Sequence, residues 1–153
     1  FQRPLSAAPR ATFAERRQYQ LNGQSAGSSL HMGIDLAGTA NAVVRSAQAG
    51  EVIFADDFGI YGRTVLIDHG FGLVSLYGHL SSILANVGDR VESGAEIGRT
   101  GTTGLALGDH LHFELRLHGV PVTPIEWWDG KWITDHIDGK IASMKETPAE
   151  PAR

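Results

Sequence analysis

The sequence predicts an all-β fold that is β-rich with little helix and built from packed antiparallel sheets. Short runs of β-branched and apolar residues, each bounded by glycine, recur at roughly the 8–12-residue spacing of all-β domains. Glycine is also abundant, at 19 of 153 residues, against an average of about 7%. Such a glycine content indicates many turns between short strands.

Six runs carry this strand pattern between residues 42 and 117. In chain order they are AVVRSAQ, EVIFA, RTVLIDH, GLVSLYGHL, EIGRTG and HLHFELRL. A single helical turn is expected among them at residues 80–85, where LSSILA offers a serine cap and an apolar cluster. That turn is too short to change the fold class.

The segments outside these runs are predicted to be less regular. Residues 1–30 are polar and turn-rich, with the small-residue stretch NGQSAGSS, and are expected to form an irregular N-terminal arm. Asp129-Gly130 within WWDGKW predicts a type I′ hairpin, whose tryptophans either stack on sugars or cover the sheet edge. Residues 140–153 have little apolar content and are expected to form a flexible C-terminal tail.

Composition excludes several classes of partner and site. With a net charge of −4, the chain lacks the basic surface that binding to nucleic acid requires. With no cysteine, any metal must be held by histidine and carboxylate. The sequence has no run of about 18 apolar residues, so it predicts no transmembrane segment. The chain starts at Phe1 without a signal-peptide pattern, which suggests a fragment or mature form, so a regulatory segment or partner upstream of Phe1 stays open.

One candidate pair of metal ligands lies in LHMGIDL. His31 and Asp35 stand two positions to either side of Gly33, so an extended segment places all three on one face. We expect the small Gly33 to leave room for an ion between the two ligands.

A second candidate group lies in HLHFEL, where alternation separates polar from apolar residues without exception. His110, His112 and Glu114 share one face, and the other face carries Leu111, Phe113, Leu115 and Leu117. Two imidazoles therefore stand side by side on a strand. His79, in SLYGHLSS, ends another strand run beside Tyr77; a lone histidine in that place is more often structural than catalytic.

Zinc chemistry explains why such groups would be gathered. A hydrolytic zinc site takes three protein ligands and keeps a fourth position for water. His31, Asp35 and one of His110 and His112 would supply two nitrogens and one oxygen. The other histidine of that pair and His79 would be left for acid–base work, and the period of two does not decide between His110 and His112.

The motifs HxxxD, YGHL and HLHFE, in this order and spacing, resemble those of the lysostaphin/LytM-type zinc metallopeptidases, endopeptidases that cut peptide cross-links of bacterial peptidoglycan. The similarity runs from the neighbourhood of Gly33 to Pro124 and includes VRSAQAGEV, VLIDHGFGLVSLYGHLS, VGDRVESGAEIGRTGTTG and PVTPIEW. It implies that residues 31–139 form a LytM-type metallopeptidase domain whose antiparallel sheets form a groove. It also implies a cell-envelope location, periplasmic or extracellular, with peptidoglycan stem peptides and cross-bridges as partners.

Carried over position by position, the resemblance assigns roles to the candidate residues. It implies that His31, Asp35 and His112 ligate one Zn²⁺ ion and that His79 and His110 are the catalytic histidines that do not bind metal. It places Tyr77 and Thr103 along the groove, His69 in a structural HGxG turn, and Glu114 behind a ligand, which it could orient.

Two departures from the family pattern stand out. Asp109 replaces the proline that many relatives carry before the HLH strand. TFAERR, at residues 12–17, matches a Phe-Gly-x-Arg-like segment only loosely, and its basic pair Arg16-Arg17 is expected to be solvated.

Two rival functions remain. Some members of this family have lost the ligands and activate other hydrolases, so a non-enzymatic domain that binds the wall or activates wall hydrolases is the alternative; the complete ligand set here favours an enzyme. A biotinyl or lipoyl carrier, which VGDRVESGAEIG resembles, is disfavoured because Met144-Lys145 lies outside any hairpin.

Overall fold

The computed structural model describes residues 1–146, and within them twelve strands dominate. Their bounds are β1 Ala8–Ala11, β2 Arg16–Leu21, β3 Gln24–Leu30, β4 Ile34–Ala37, β5 Val43–Arg45, β6 Gly50–Asp57, β7 Arg63–Asp68, β8 Leu73–Ile83, β9 Arg90–Val91, β10 Glu96–Thr100, β11 Leu111–Leu117 and β12 Val120–Val122. All six predicted runs contain a strand, and the all-β prediction is confirmed.

One antiparallel sheet of ten strands makes up most of the fold. Its main path runs β1-β4-β11-β8-β7-β6-β9, while β12 pairs with β11 and β10 joins β8 to β5. Strands β2 and β3 form a separate two-stranded sheet. The centre of the large sheet therefore holds β4, β11 and β8, which are the strands that carry or adjoin the candidate histidines.

The core lies on the apolar face of these central strands. Leu111, Phe113 and Leu115 of β11 are fully buried, as the alternation predicted, and they meet buried side chains of the neighbouring strands. Those neighbours include Ile34, Leu36, Val65, Ile67, Leu80 and Ile97. His112 and Glu114 on the opposite face are also buried, so β11 is enclosed on both sides.

The prediction of an irregular arm over residues 1–30 was wrong, because that segment contains three strands. β1 pairs with β4 at the edge of the large sheet. β2 and β3 form a hairpin whose two turn residues, Asn22 and Gly23, both have positive φ. Asn-Gly is the strongest two-residue hairpin signal, since both residues tolerate the left-handed region that a type I′ turn requires.

The hairpin predicted at Asp129-Gly130 does not form. A 3₁₀ turn at Glu126–Trp128 leads into helix α1, Gly130–Ile133, and the Asp129 carboxylate accepts hydrogen bonds from the main-chain N–H groups of Lys131 and Trp132. Aspartate before a helix caps its unpaired N–H groups, and that use of Asp129 prevails here over a turn between strands. Trp128 stacks on Phe113 beneath the sheet.

The helical turn predicted at residues 80–85 was wrong, whereas the flexible tail predicted over residues 140–153 stays a prediction. Residues 80–83 belong to β8, where β10 supplies the hydrogen-bonding partner that keeps them extended. Residues 139–146 form helix α2, Gly139–Glu146, which continues α1 through a π-helical segment at Thr134–Asp138. The rest of the predicted tail lies outside the described residues. In the described part of the chain, no helix is long and apolar enough to cross a membrane.

Candidate metal centre

β4 and β11 bring together the three residues predicted to bind metal. Asp35 of β4 faces His112 of β11 across the ladder, and His31 lies just before β4. All three are buried. Gly33 was expected to leave room for an ion, but the space beside it is taken by the main chain of β11. A Cβ on Gly33 would lie 2.3 Å from the carbonyl oxygen of Phe113.

Three side-chain atoms of these residues form a compact triangle. His31 Nε2 lies 3.0 Å from Asp35 Oδ1 and 3.0 Å from His112 Nδ1, and the latter two atoms are 2.9 Å apart. Tetrahedral zinc with bonds of about 2.0–2.1 Å would separate such ligands by about 3.3 Å. The triangle is therefore close to the size of one face of a zinc site, and this group is the one able to hold a metal among the described residues.

The other nitrogen of each imidazole is already engaged. His31 Nδ1 lies 2.9 Å from the carbonyl oxygen of Thr12, and His112 Nε2 lies 2.9 Å from Glu114 Oε1, so each nitrogen donates to an acceptor. When both rings are neutral, two nitrogen lone pairs and a carboxylate oxygen converge on one point. Such a donor set calls for a cation, and nitrogen and oxygen ligands suit zinc.

Without a cation, a proton must take part of this role. Burial opposes ionisation of Asp35, but hydrogen bonds from His112 and His31 outweigh it and hold the pKa of that carboxyl well below its ordinary value. Burial alone would lower the pKa of His112, whereas the Asp35 and Glu114 carboxylates raise it. The site therefore favours a positive charge between Asp35 and the two rings.

Glu114 lies behind His112, where the resemblance implied it, and it has further partners. Its carboxylate is fully buried and accepts three hydrogen bonds. Oε1 accepts from His112 Nε2 and from the Tyr61 hydroxyl, the latter at 2.7 Å. Oε2 accepts from Arg116 Nε at 2.9 Å. Burial raises the pKa of Glu114, but these hydrogen bonds prevail and lower it to about 2. Burial and the bond to Glu114 raise the pKa of Tyr61 to about 12.

His79 is held in an unusual backbone conformation at the side of the triangle. Its φ is +61°, within β8, where the register with β7 is irregular. Such a conformation is uncommon for a residue with a Cβ and is typical of functional sites. Its Nδ1 lies 2.8 Å from the carbonyl oxygen of Thr103, which fixes the ring with Nε2 unprotonated. Burial lowers the pKa of His79 to about 4.

His110 stands beside His79, with ring centroids 4.7 Å apart. Its Nδ1 lies 2.7 Å from the carbonyl oxygen of Gly108, so Nδ1–H donates and Nε2 makes no hydrogen bond. That Nε2 is 3.6 Å from Asp35 Oδ1. The two histidines predicted to be catalytic thus both lie next to the triangle, and each has one free ring nitrogen.

The hairpin of β2 and β3 forms one side of the groove above the site. Tyr19, Ser29 and Leu30 line it together with Tyr61 and Met32. Arg17 lies among them, and its Nη2 is 2.5 Å from Asp35 Oδ2. The expectation that Arg16-Arg17 is merely solvated was therefore wrong for Arg17.

Sequence reasoning misplaced one groove residue and missed two. Tyr77 is fully buried in the core, where its hydroxyl accepts from the main-chain N–H of Ala47, so it does not line the groove. Thr103 does contact the site, through its carbonyl. Tyr61 was missed because no local pattern marks it. Arg17 was interpreted as solvated, although the loose match of TFAERR to a Phe-Gly-x-Arg-like segment and the Asn-Gly hairpin were both readable signals.

Three comparisons relate the chain to known proteins. The family model described as Peptidase family M23 matches residues 29–124. The DD-carboxypeptidase/endopeptidase Mpg of Neisseria meningitidis is 42% identical over 96 residues, which are 63% of this chain and 22% of that protein. The murein hydrolase activator EnvC of Escherichia coli K12 is 39% identical over 84 residues, 55% of this chain and 20% of that protein. The chain therefore spans about a fifth of the length of these curated relatives.

A solved structure gives the same relationship in three dimensions. A zinc-containing peptidase from Vibrio cholerae superposes with a TM-score of 0.66 at 31% identity, covering 76% of this chain and 35% of that one. The catalytic domain of lysostaphin from Staphylococcus simulans shares the fold, with a TM-score of 0.67 at 24% identity. The fold expected from the resemblance is confirmed.

Proposed function

The chain belongs to peptidase family M23, and on that premise we propose that it is a zinc-dependent endopeptidase that hydrolyses peptide cross-links of bacterial peptidoglycan. The observation that carries the proposal is the convergence of His31 Nε2, Asp35 Oδ1 and His112 Nδ1, with the free nitrogens of two further histidines alongside. This arrangement supports one Zn²⁺ held by His31, Asp35 and His112, with His79 and His110 as the catalytic histidines.

The roles follow from which atoms are free. When bound, zinc supplies Lewis acidity toward the scissile carbonyl and the attacking water. His110 Nε2 and His79 Nε2 are lone-pair acceptors fixed by Nδ1 hydrogen bonds, so either ring is placed to take a proton from the water. The protonated ring then donates to the oxyanion or to the leaving amine. Glu114 holds the His112 ring in the orientation that points Nδ1 inward.

The proposal also covers the substrate class and the cellular location of the protein. Mpg of Neisseria is a DD-carboxypeptidase/endopeptidase by name, which supports stem peptides and cross-bridges of peptidoglycan as the substrate class. On that basis we propose that the protein acts in the cell envelope, periplasmic or extracellular.

Digestion of purified peptidoglycan by the zinc-loaded chain tests the proposal. Mass spectrometry of the released fragments identifies the bond that is cut. His110→Ala is expected to keep its zinc, measured by atomic emission after dialysis, and to lose about 100-fold or more in rate. His112→Ala and Asp35→Ala should lose both zinc and cleavage. The exposed His136 supplies the matched control, because His136→Ala should change neither.

A second function is favoured by the similarity to EnvC, a murein hydrolase activator by name. Under that alternative the chain binds the wall or activates other hydrolases without cutting peptides. Zinc-loaded wild-type protein that releases no fragment alone, but raises the rate of an added wall hydrolase, would support it. Wild-type rates in His110→Ala would show that the catalytic roles are wrong.

A further inference from the structure

We infer that Arg17 is a positioning residue that holds the Asp35 carboxylate so that only its Oδ1 faces the metal. The inference rests on the proposed zinc site and names a residue outside the family match, which begins at residue 29. Arg17 belongs to β2 of the hairpin, so its contribution comes from a part of the chain that the family model does not describe.

The two oxygens of Asp35 have separate partners. Oδ1 faces His31 Nε2 at 3.0 Å and His112 Nδ1 at 2.9 Å. Oδ2 faces Arg17 Nη2 at 2.5 Å. A carboxylate with one oxygen in a charge-assisted hydrogen bond is restrained from turning both oxygens toward a metal. The pairing therefore favours monodentate ligation by Oδ1.

The main chain brings Arg17 to this position. The N–H of His31 donates to the carbonyl oxygen of Glu15, and the N–H of Ala14 donates to the carbonyl oxygen of His31, each at 2.8 Å. Thr12, in the same segment, accepts from the His31 ring. One segment, residues 12–17, thus orients the His31 imidazole at one end and the Asp35 carboxylate at the other.

Burial makes the contact important. Asp35 is only 7% exposed, so water offers little replacement for a lost guanidinium. Removing Arg17 would leave Oδ2 without its cation and free the carboxylate to rotate. Loss of a group that orients a metal ligand typically lowers metal affinity about 10–100-fold. Lysine would restore the charge but not the planar fork of donors.

The neighbouring Arg16 provides a matched control. It is exposed and precedes Arg17 on the same strand, so its side chain projects to the opposite face of the hairpin. Arg16→Gln changes net charge as Arg17→Gln does, but it leaves the contact with Asp35 intact.

Zinc dissociation constants of the full chain, measured by competition with a chromogenic chelator, test the inference without reference to activity. Arg17→Gln is expected to bind zinc about 10–100-fold more weakly, Arg17→Lys to recover part of the loss, and Arg16→Gln to match wild type. The visible absorption bands of the cobalt-substituted protein should change in Arg17→Gln, because the carboxylate would ligate differently. Far-ultraviolet circular dichroism checks that each variant is folded.

The outcomes separate the two proposals. If wild type and Arg17→Gln bind zinc with equal affinity and show the same cobalt spectrum, the role of Arg17 is overturned while the zinc site stands. If Arg17→Gln does not fold, Arg17→Lys decides: weaker zinc binding with a changed cobalt spectrum supports the role of Arg17, and wild-type affinity and spectrum overturn it. If wild type itself binds no zinc, the proposed function fails and this inference fails with it.

Discussion

Gly33 and Phe113 lie so close together that a Cβ on Gly33 would stand 2.3 Å from the Phe113 carbonyl oxygen. The contact sits between the two metal-ligand candidates of the β4 segment, His31 and Asp35. It fixes the distance between this segment and β11, which carries the third candidate. The separation of the ligands is thus set by the approach of two main chains.

This contact predicts that Gly33→Ala strongly destabilises the protein. The methyl group would force β4 from β11, and we expect the free energy of unfolding to fall by about 3 kcal/mol. Urea denaturation of the metal-free protein measures it. Gly108→Ala is the control, because a Cβ at Gly108 meets nothing within 4 Å. Equal midpoints for the two variants would contradict the prediction.

Tyr61→Phe should weaken the support of Glu114. The Tyr61 hydroxyl donates to a fully buried carboxylate at 2.7 Å, and hydrogen bonds to charged groups contribute about 1.5–3 kcal/mol. We therefore expect the free energy of unfolding to fall by about 2 kcal/mol in urea denaturation. Tyr19→Phe removes the exposed contact with Ser29 and should change stability little. A loss at Tyr19 as large as that at Tyr61 would argue against a special role for the buried bond.

The Asp109 carboxylate holds the turn before His110 in place. Its Oδ1 accepts from the Thr100 hydroxyl at 2.5 Å and its Oδ2 from the main-chain N–H of Asn41 at 3.0 Å. Asp109→Ala should loosen the turn and lower kcat about 10-fold or more, since small misplacement of a catalytic group is costly. Zinc content should stay unchanged.

Asp89 offers the matched control for this variant. Its carboxylate holds a different turn in place, because it accepts a hydrogen bond from the main-chain N–H of Asn86. Asp89→Ala removes comparable bonds away from the site, so kcat on peptidoglycan fragments should stay at the wild-type value. If Asp109→Ala also keeps wild-type kcat, the turn does not depend on this carboxylate.

His69 predicts a pH dependence of stability that is independent of the metal centre. Burial lowers the pKa of His69 below its ordinary 6.5, with its Nδ1 donating to the Ala49 carbonyl. As pH falls through 6.5, the unfolded chain therefore binds more protons than the folded chain does. The stability contributed by neutral His69 is complete above that pH and is lost below it. Urea denaturation at pH 7.5 and 5.5 should show a smaller loss for His69→Gln than for wild type. Identical losses would show that His69 does not titrate differently on folding.

Local pattern predicted the parts of the fold that depend on neighbours along the strand. The alternation in HLHFELRL placed Leu111, Phe113 and Leu115 in the core and His112 over the site, as the structure has them. The dipeptide signal for a two-residue hairpin turn was wrong at Asp129-Gly130, where a helix takes the aspartate as its cap. The same signal stands at Asn22-Gly23, where no hairpin was predicted and one forms. A dipeptide that suits two structures is decided by the partner available to it.

The sequence by itself determined six of the twelve strands in the described residues, the family resemblance and the set of residues that could hold a metal. Only the tertiary structure decided which atom of each ring faces the centre and which groups hold it there. Thr12, Thr103 and Gly108 fix the rings of His31, His79 and His110 through carbonyl oxygens. Every residue has such a carbonyl, so no side chain in the sequence marks these three. Arg17 and Tyr61 reach the site only because the folded strands bring distant segments together, and contacts of that kind leave no periodicity to read.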